Sequence, residues 1–384
     1  MAEQFGSNQW PGMPSTVEQS HVYESPALAT LPPHPADAPT EPLSPPRRQR
    51  VWPAVLTLFL LAPIVGEVLS GSTPPLSFIN PVTFLLETGL YGSGAIVVRE
   101  LVRRRGLGWA SILLLGAAYG ILEEGLVVTS WFNPYWPDLG VLVHYGRLFD
   151  VSWVWAFGLT TYHAVVSITI PIVLTETLFP HLAARPWLRR RGLILFSIWL
   201  ALISLFSLLL FGFLEFRKQG YMHPPLAYFI ALALAVACVW LALRMRPSTP
   251  SASSTRNAPR LWQLRLLALA TTLLFFFDLW AMPNLVPFPL VPIALVIGLV
   301  SLATWVLRRW ARRAGWGAQH RLALAFGVIT FFVLLSPLIE FFVLPHTGKN
   351  PAGLIVVECL FLLGLILLSW RIRPRRKQAL AMAA

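Results

Sequence analysis

The sequence predicts an all-α, polytopic transmembrane helical bundle of about ten membrane helices with both termini in the cytoplasm. Composition is the first reason: 56% of the 384 residues are hydrophobic and 12% charged, where soluble domains average about 25% charged. Mean hydropathy is +0.64. The second reason is that the apolar residues fall into runs of bilayer length, about 20 residues each. The third is the placement of the arginines. Of 30 basic residues, three are lysines (Lys218, Lys349 and Lys377), leaving 27 arginines in short clusters between apolar runs. A formal charge of +13 distributed in this way is the positive-inside pattern of a membrane protein rather than a nucleic-acid surface.

Residues 1–46 are proline-rich and contain no Lys or Arg. Such a segment buries too little apolar surface to fold, which predicts a disordered cytoplasmic tail. It also lacks the basic start and apolar core of a signal peptide. Residues 47–246 hold six runs, near 51–70, 79–99, 108–130, 151–178, 193–214 and 225–243. Residues 247–261 form a Pro/Ser/Thr-rich polar linker. Residues 262–370 hold four more runs, near 262–282, 285–306, 322–343 and 352–370, and 371–384 form a basic cytoplasmic tail. Alternate connections carry the basic clusters Arg47–Arg50, Arg103–Arg105, Arg185–Arg191, Arg244–Arg260, Arg308–Arg313 and Arg371–Lys377. The opposite connections hold only Arg147, Arg217, Lys218 and Lys349. This alternation would fail downstream of any miscounted helix. Cys238 and Cys359 lie in apolar runs and show no disulfide or zinc spacing.

The expected outer connection at 131–150 is the longest on its side. Trp131, Tyr135, Trp136, Trp153 and Trp155 suit an interfacial aromatic belt. Its length, with His144, Arg147 and Asp150, also suits a lid over whatever the flanking helices hold.

The residues that carry chemistry are acids in hydrocarbon. Glu123 and Glu124 sit inside the third run, where an intramembrane carboxylate costs about 2.5–3.5 kcal/mol on insertion scales. Topology places Glu87, Glu123, Glu124 and His163 at a comparable depth in the outer half, with Glu176 alone near the cytoplasmic end. Gly116, Gly120 and Glu124 share one helical stripe, and its small residues admit a close neighbour. Glu123, near Tyr119, is about 100° further round, facing a different neighbour. Thr160, His163 and Ser167 share a stripe on the fourth helix, as do Thr83, Glu87, Tyr91 and Gly94 on the second. The expectation is an outward-opening polar layer with Glu123, Glu124 and His163 at its centre and Glu87, Tyr91, Tyr119, Thr160 and Ser167 around them. Glu67, Asp278, Glu340 and Glu358 stand near helix ends, where water is within reach.

Three readings of that layer stay open. A Glu and an imidazole can activate water to attack an amide carbonyl. The same groups can bind a proton or cation in a transporter. They can also hold helices together as a non-catalytic scaffold. No His-Glu-x-x-His spacing supports a metal, and nothing calls for a cofactor.

A paired Glu on one membrane helix followed by a His on the next resembles the CAAX-protease and bacteriocin-processing family of intramembrane glutamate proteases. That family carries Glu-Glu-x-x-x-Arg, Phe-x-x-x-His and His-x-x-x-Asn. Here Glu123-Glu124 and His163 match, while Val128 stands at the Arg position and Leu159 at the Phe position. His346-Thr-Gly-Lys-Asn350 is the one His-x-x-x-Asn, in an expected outer loop. The resemblance covers the third and fourth helices. It implies peptide-bond hydrolysis by a glutamate-activated water, with Glu123 or Glu124 as base and His163 as oxyanion or water ligand. The sequence expectation is therefore a protein of the plasma or inner membrane whose partners are the lipid bilayer and a membrane-embedded or extracytoplasmic peptide, with no nucleic acid. Oligomeric state is not legible.

Overall fold

The computed structural model describes residues 50–372 apart from 216, 218, 223 and 247–253. The expected tail at 1–46, about half of the linker at 247–261 and all but the first two residues of the tail at 371–384 lie outside these residues. Among the described residues nine helices are long and apolar enough to cross a membrane. A shorter apolar helix, α1 (Trp52–Val68), precedes them. The nine are α2 (Pro81–Arg104), α3 (Trp109–Val127), α4 (Trp153–Leu178), α5 (Arg190–Phe211), α6 (Pro225–Arg244), α7 (Leu261–Trp280), α8 (Leu290–Ala311), α9 (Ala318–His346) and α10 (Leu354–Arg371). The protein is a helical membrane bundle, as its hydropathy requires.

The connections alternate between two ends. At the arginine-rich end Ser111 donates to the Ala242 carbonyl at 3.1 Å, Arg321 stacks over Trp109, and Gln319 donates to the Ile372 carbonyl at 2.6 Å. A short parallel pairing of Ser254–Asn257 with Arg313–Ala314 ties the 6–7 and 8–9 connections there. At the opposite end Lys349 donates to the Ser72 carbonyl at 2.8 Å, and Gly146 packs against Pro289. Each helix thus runs from one end to the other.

Helices α2, α3 and α4 occupy the centre. In α3, 72% of the most apolar window is buried inside the protein, against 11% in α5 and α8. Helix α3 packs on α4 and α6, α2 on α1 and α5, and α9 on α7, α10 and the inner half of α4. Leu, Ile and Val side chains such as Leu58, Ile96, Ile112 and Ile168 fill the space between α1, α2, α3 and α4. Phe275, Phe276, Phe331 and Phe332 join α7 to α9, with Phe276 and Phe331 stacked at 4.8 Å.

One largely buried network clamps the arginine-rich end. Arg99 contacts Glu100 at 3.0 Å and Glu176 at 3.1 Å. It also donates to the carbonyls of Leu182, Ala183 and Arg185 and lies over the Trp187 ring. Arg103 meets Glu176 at 2.7 Å. Glu100 accepts from the backbone N–H groups of Trp187 and Leu188. Both acids are paired and Arg99 has a partner on each side, the condition under which buried charge is tolerated.

The 128–152 connection is folded rather than draped. Leu139, Leu142, Phe132 and Val151 form a local core with Trp131 and Trp155. An antiparallel hairpin, β1 (Arg147–Leu148) and β2 (Val151–Ser152), turns through Phe149 and Asp150. Both turn residues have positive φ, 52° and 59°, as a two-residue type I′ turn demands. The aromatic-belt expectation is corrected here: Trp131 and Trp155 are buried in this core, while Tyr135 is exposed. Asp278 and Glu358 are also buried, contrary to the expected contact with interfacial water; neither Asp278 oxygen has a hydrogen-bond partner, and Glu358 meets Ser336.

Candidate functional site

The polar layer is built on interrupted helices. Single π-helical turns occur at Ile64–Val68 in α1, Thr88–Gly92 in α2, Ile121–Val127 in α3 and His163–Thr169 in α4. They contain Glu67, Tyr91, Glu123 with Glu124, and His163 with Ser167. A π turn shifts hydrogen bonds from i→i+4 to i→i+5, and such turns are enriched at functional sites. It changes the angular phase of the side chains, so adjacent glutamates aim differently from their positions on an ordinary helix. The interruption also frees carbonyls: Tyr162 donates to Gly66 O at 2.6 Å.

Close approach of α3 and α4 sets the centre. A Cβ on Gly120 would lie 2.9 Å from His163 Cβ and 3.2 Å from Thr160 Cα, and one on Gly116 would meet the Ala164 backbone at 2.9 Å. The Gly116/Gly120/Glu124 stripe therefore does face α4, as its spacing predicts. His163 then stands between the two glutamates. Its Nε2 is 3.0 Å from Glu124 Oε1, and its Nδ1 is 3.2 Å from Glu123 Oε2 and 3.0 Å from Ser167 Oγ. The expectation that Glu123 faces a different neighbour is corrected: both carboxylates converge on one imidazole. Rings of Tyr91, Tyr119 and Tyr162 surround that imidazole at centroid distances of 5.8, 6.0 and 5.5 Å.

The two carboxylates are not equivalent. Glu124 is satisfied on both oxygens, by His163 and by the hydroxyl of Ser130, which itself accepts from Trp155 Nε1 at 3.0 Å. Glu123 is flanked instead by His163 Nδ1, 3.2 Å from its Oε2, and by the hydroxyls of Tyr91 and Tyr119. Its partners are a ring nitrogen and phenol hydroxyls, groups that also hold a water or a substrate oxygen.

A second branch leads toward the end opposite the arginine clusters. Tyr91 donates to Glu67 Oε1. Thr73 Oγ1 lies 3.2 Å from Glu67 Oε2 and 2.9 Å from Glu87 Oε1. A hydroxyl carries one proton, so a second hydrogen bond at Thr73 needs a proton on one of the two carboxyl groups. Glu87 thus joins the layer through Thr73 and Glu67 rather than by contact with His163. Thr160 joins through its backbone, against which Gly120 packs.

Sequence reasoning missed Glu67, Thr73, Ser130 and Tyr162 as members of the layer. Glu67 and Tyr162 stand in plain view as polar groups in apolar runs. Nothing in hydropathy marks the π turns that bring them inward. His346 ends α9 and Asn350 lies in the connection that follows, where Asn350 Oδ1 accepts from the Ala352 N–H at 3.0 Å. Among the described residues no three His, Cys, Asp or Glu side chains are grouped to hold a metal ion.

A family model described as an uncharacterized membrane protein family matches residues 56–252, just over half of the chain and all of the helices that build this layer. No curated protein and no solved structure matches the chain.

Proposed function

The chain belongs to an uncharacterized membrane protein family, and from that premise we propose that it is an intramembrane hydrolase whose acid–base centre is Glu123–His163–Glu124. The observation that carries the reading is the convergence of both carboxylates on one imidazole, with Glu124 anchored by Ser130 and Glu123 flanked by the hydroxyls of Tyr91 and Tyr119. The roles follow from that asymmetry. Glu124, held by Ser130, orients His163, as a carboxylate orients the histidine of a hydrolytic triad. Glu123 presents Oε2 to a water and takes its proton as the water oxygen attacks the carbonyl carbon. The Tyr119 hydroxyl supplies a donor near the developing oxyanion, where the resembling family's arginine position holds Val128. The proton held by Glu123 passes to the leaving amine as the C–N bond breaks, so the step needs only water. A membrane-embedded or extracytoplasmic peptide suits a site in the outer half of the bundle, the arginine-rich end being cytoplasmic by the positive-inside rule.

The experiment is hydrolysis in oxygen-labelled water. Proteoliposomes containing the full chain are incubated with transmembrane peptides, and new C-termini are analysed by mass spectrometry. Label enters the new carboxyl group with the wild-type chain and not with Glu123→Gln or His163→Ala. If the wild type yields no labelled termini, hydrolysis is wrong.

A specific observation favours a second reading, proton-coupled transport. The Thr73–Glu67–Tyr91 branch extends polar contact from the outer connection toward His163, a feature that hydrolysis does not need. Proton flux into proteoliposomes that is lost in Thr73→Val and Glu67→Gln, without peptide cleavage, would select it.

A further inference from the structure

We propose that the folded outer connection is a binding site for a carboxylate- or phosphate-bearing ligand, held by Arg147 with Asn133 and Tyr221. The segment concentrates unmet donors. Asn133 is fully buried, and its Oδ1 accepts from the Tyr135 N–H at 2.9 Å while its Nδ2 has no partner. Trp131 Nε1 and the Thr129 hydroxyl are buried and unpartnered, and so is the hydroxyl of Tyr221; Tyr145 is set apart because the buried Asp278 carboxylate acts on it. Arg147 spends Nη2 on the Phe132 carbonyl, one residue from Asn133, while Nη1 has no partner.

The chemistry of this set is one-sided. Amide, indole and guanidinium N–H groups only donate, and the hydroxyls of Thr129 and Tyr221 are able to donate. Buried polar groups are nearly always paired, so a cluster of orphaned donors implies an acceptor that arrives from outside the chain. Charge points the same way. Arg147 is absent from the ion pairs that Arg99, Arg103, Arg104 and His163 make with carboxylates, and among the described residues no carboxylate lies within ion-pair distance of it. Asp150 is exposed at the hairpin tip, outside ion-pair distance of Arg147, although both act on Tyr221. A half-buried guanidinium with an open N–H and no carboxylate is matched by an oxyanion, whose oxygens accept two parallel N–H bonds.

Backbone strain supports a built site. Thr129, between the π turn of α3 and this segment, has φ 57° and is fully buried. A β-branched residue in the left-handed region is a costly outlier, and such strain clusters at ligand clamps and active sites. Ser130, the next residue, holds Glu124. The site is thus one residue away from the acid–base centre but separate from it in chemistry, and it stands whether or not that centre hydrolyses peptides.

The test uses the full chain in a non-ionic detergent. N-acetyl-dialanine, its C-terminal amide and inorganic phosphate are titrated while tryptophan fluorescence is followed, since Trp131, Trp136, Trp153 and Trp155 lie in or beside the segment. Vesicles of phosphatidylglycerol are compared with phosphatidylcholine at equal ionic strength, to separate a soluble ligand from a lipid headgroup. The expected result is saturable binding of at least one oxyanionic probe, with none for the amide. Affinity falls at least about tenfold in Arg147→Gln and severalfold in Tyr221→Phe, which keeps the ring if the arginine variant does not fold. His163→Ala binds as the wild type, so loss of the hydrolytic centre and loss of this site are read apart. The proposal is overturned if no oxyanionic probe binds saturably, if the amide binds as well as the acid, or if both Arg147→Gln and Tyr221→Phe bind as the wild type.

Discussion

Gly120→Ala tests whether close approach of α3 and α4 positions the site. The added Cβ would sit 2.9 Å from His163 Cβ and 3.2 Å from Thr160 Cα, where carbon atoms prefer about 3.5–4.0 Å. Thr160 Cα is backbone and cannot rotate away, so the helices must part by about 0.5 Å or more. Glu124 lies one turn further along the same stripe, and its oxygen is 3.0 Å from His163 Nε2. The same displacement carries that contact to about 3.5 Å, past the range of an N–H···O bond. Overpacking costs about 1–3 kcal/mol, and loss of a hydrogen bond to a charged group adds about 1.5–3 kcal/mol. The protein carries its own controls. A Cβ added at Gly298 in α8 or Gly364 in α10 would meet nothing within 4 Å, so alanine there gains up to about 1 kcal/mol of helix propensity. Thermal unfolding in detergent, with side-chain NMR of labelled histidine, reads both effects. Gly120→Ala lowers the melting temperature and shifts the His163 ring resonances, while Gly298→Ala and Gly364→Ala do neither. A Gly120→Ala protein that melts and resonates like the wild type refutes the packing account.

The remaining predictions follow from individual contacts. Arg99→Met removes the fully buried guanidinium that Glu100, Glu176 and three carbonyls share, and breaking this buried network at its shared cation costs about 3–5 kcal/mol, read as loss of the detergent-resistant fold on heating. Ser130→Ala frees Glu124 Oε2 and Trp155 Nε1 together; stability in a melting experiment falls by about 1–3 kcal/mol, and hydrolysis falls because His163 loses its fixed orienting partner. Gly66→Ala would press a Cβ to 2.9 Å from the Tyr91 ring and 3.0 Å from Ser167 Oγ. It is expected to weaken both the Tyr91–Glu67 contact and His163 Nδ1 positioning, seen as histidine NMR shifts and a loss of about 1–3 kcal/mol in unfolding.

The bundle and its alternating ends are legible in the sequence because hydrocarbon length and arginine placement are local properties of the chain. The Gly116/Gly120/Glu124 stripe is legible for a related reason: it lies mostly in the ordinary helical part of α3, where a 100° step holds. An ordinary helical wheel aims Glu123 in the wrong direction because residues 121–127 form a π turn, and His163 opens another. Both shift the wheel, and no hydropathy period encodes them. Glu67 reads as a helix-end acid for the same reason, since its own π turn aims it at Tyr91. The tryptophans of the outer connection look interfacial by type. Trp131 and Trp155 are instead buried in its local core, a tertiary fact that composition alone does not carry.

The central claim is that Glu123 is retained for chemistry rather than for holding helices together. Glu123→Gln keeps the shape and removes the charge, and one paired measurement tests it: label incorporation from oxygen-labelled water beside the melting curve of the same preparation. Incorporation is expected to fall at least about a hundredfold, the scale of one acid–base group, while melting is unchanged or rises because a buried carboxylate has been removed from apolar surroundings. A variant that melts markedly lower while still hydrolysing at the wild-type rate would contradict the claim.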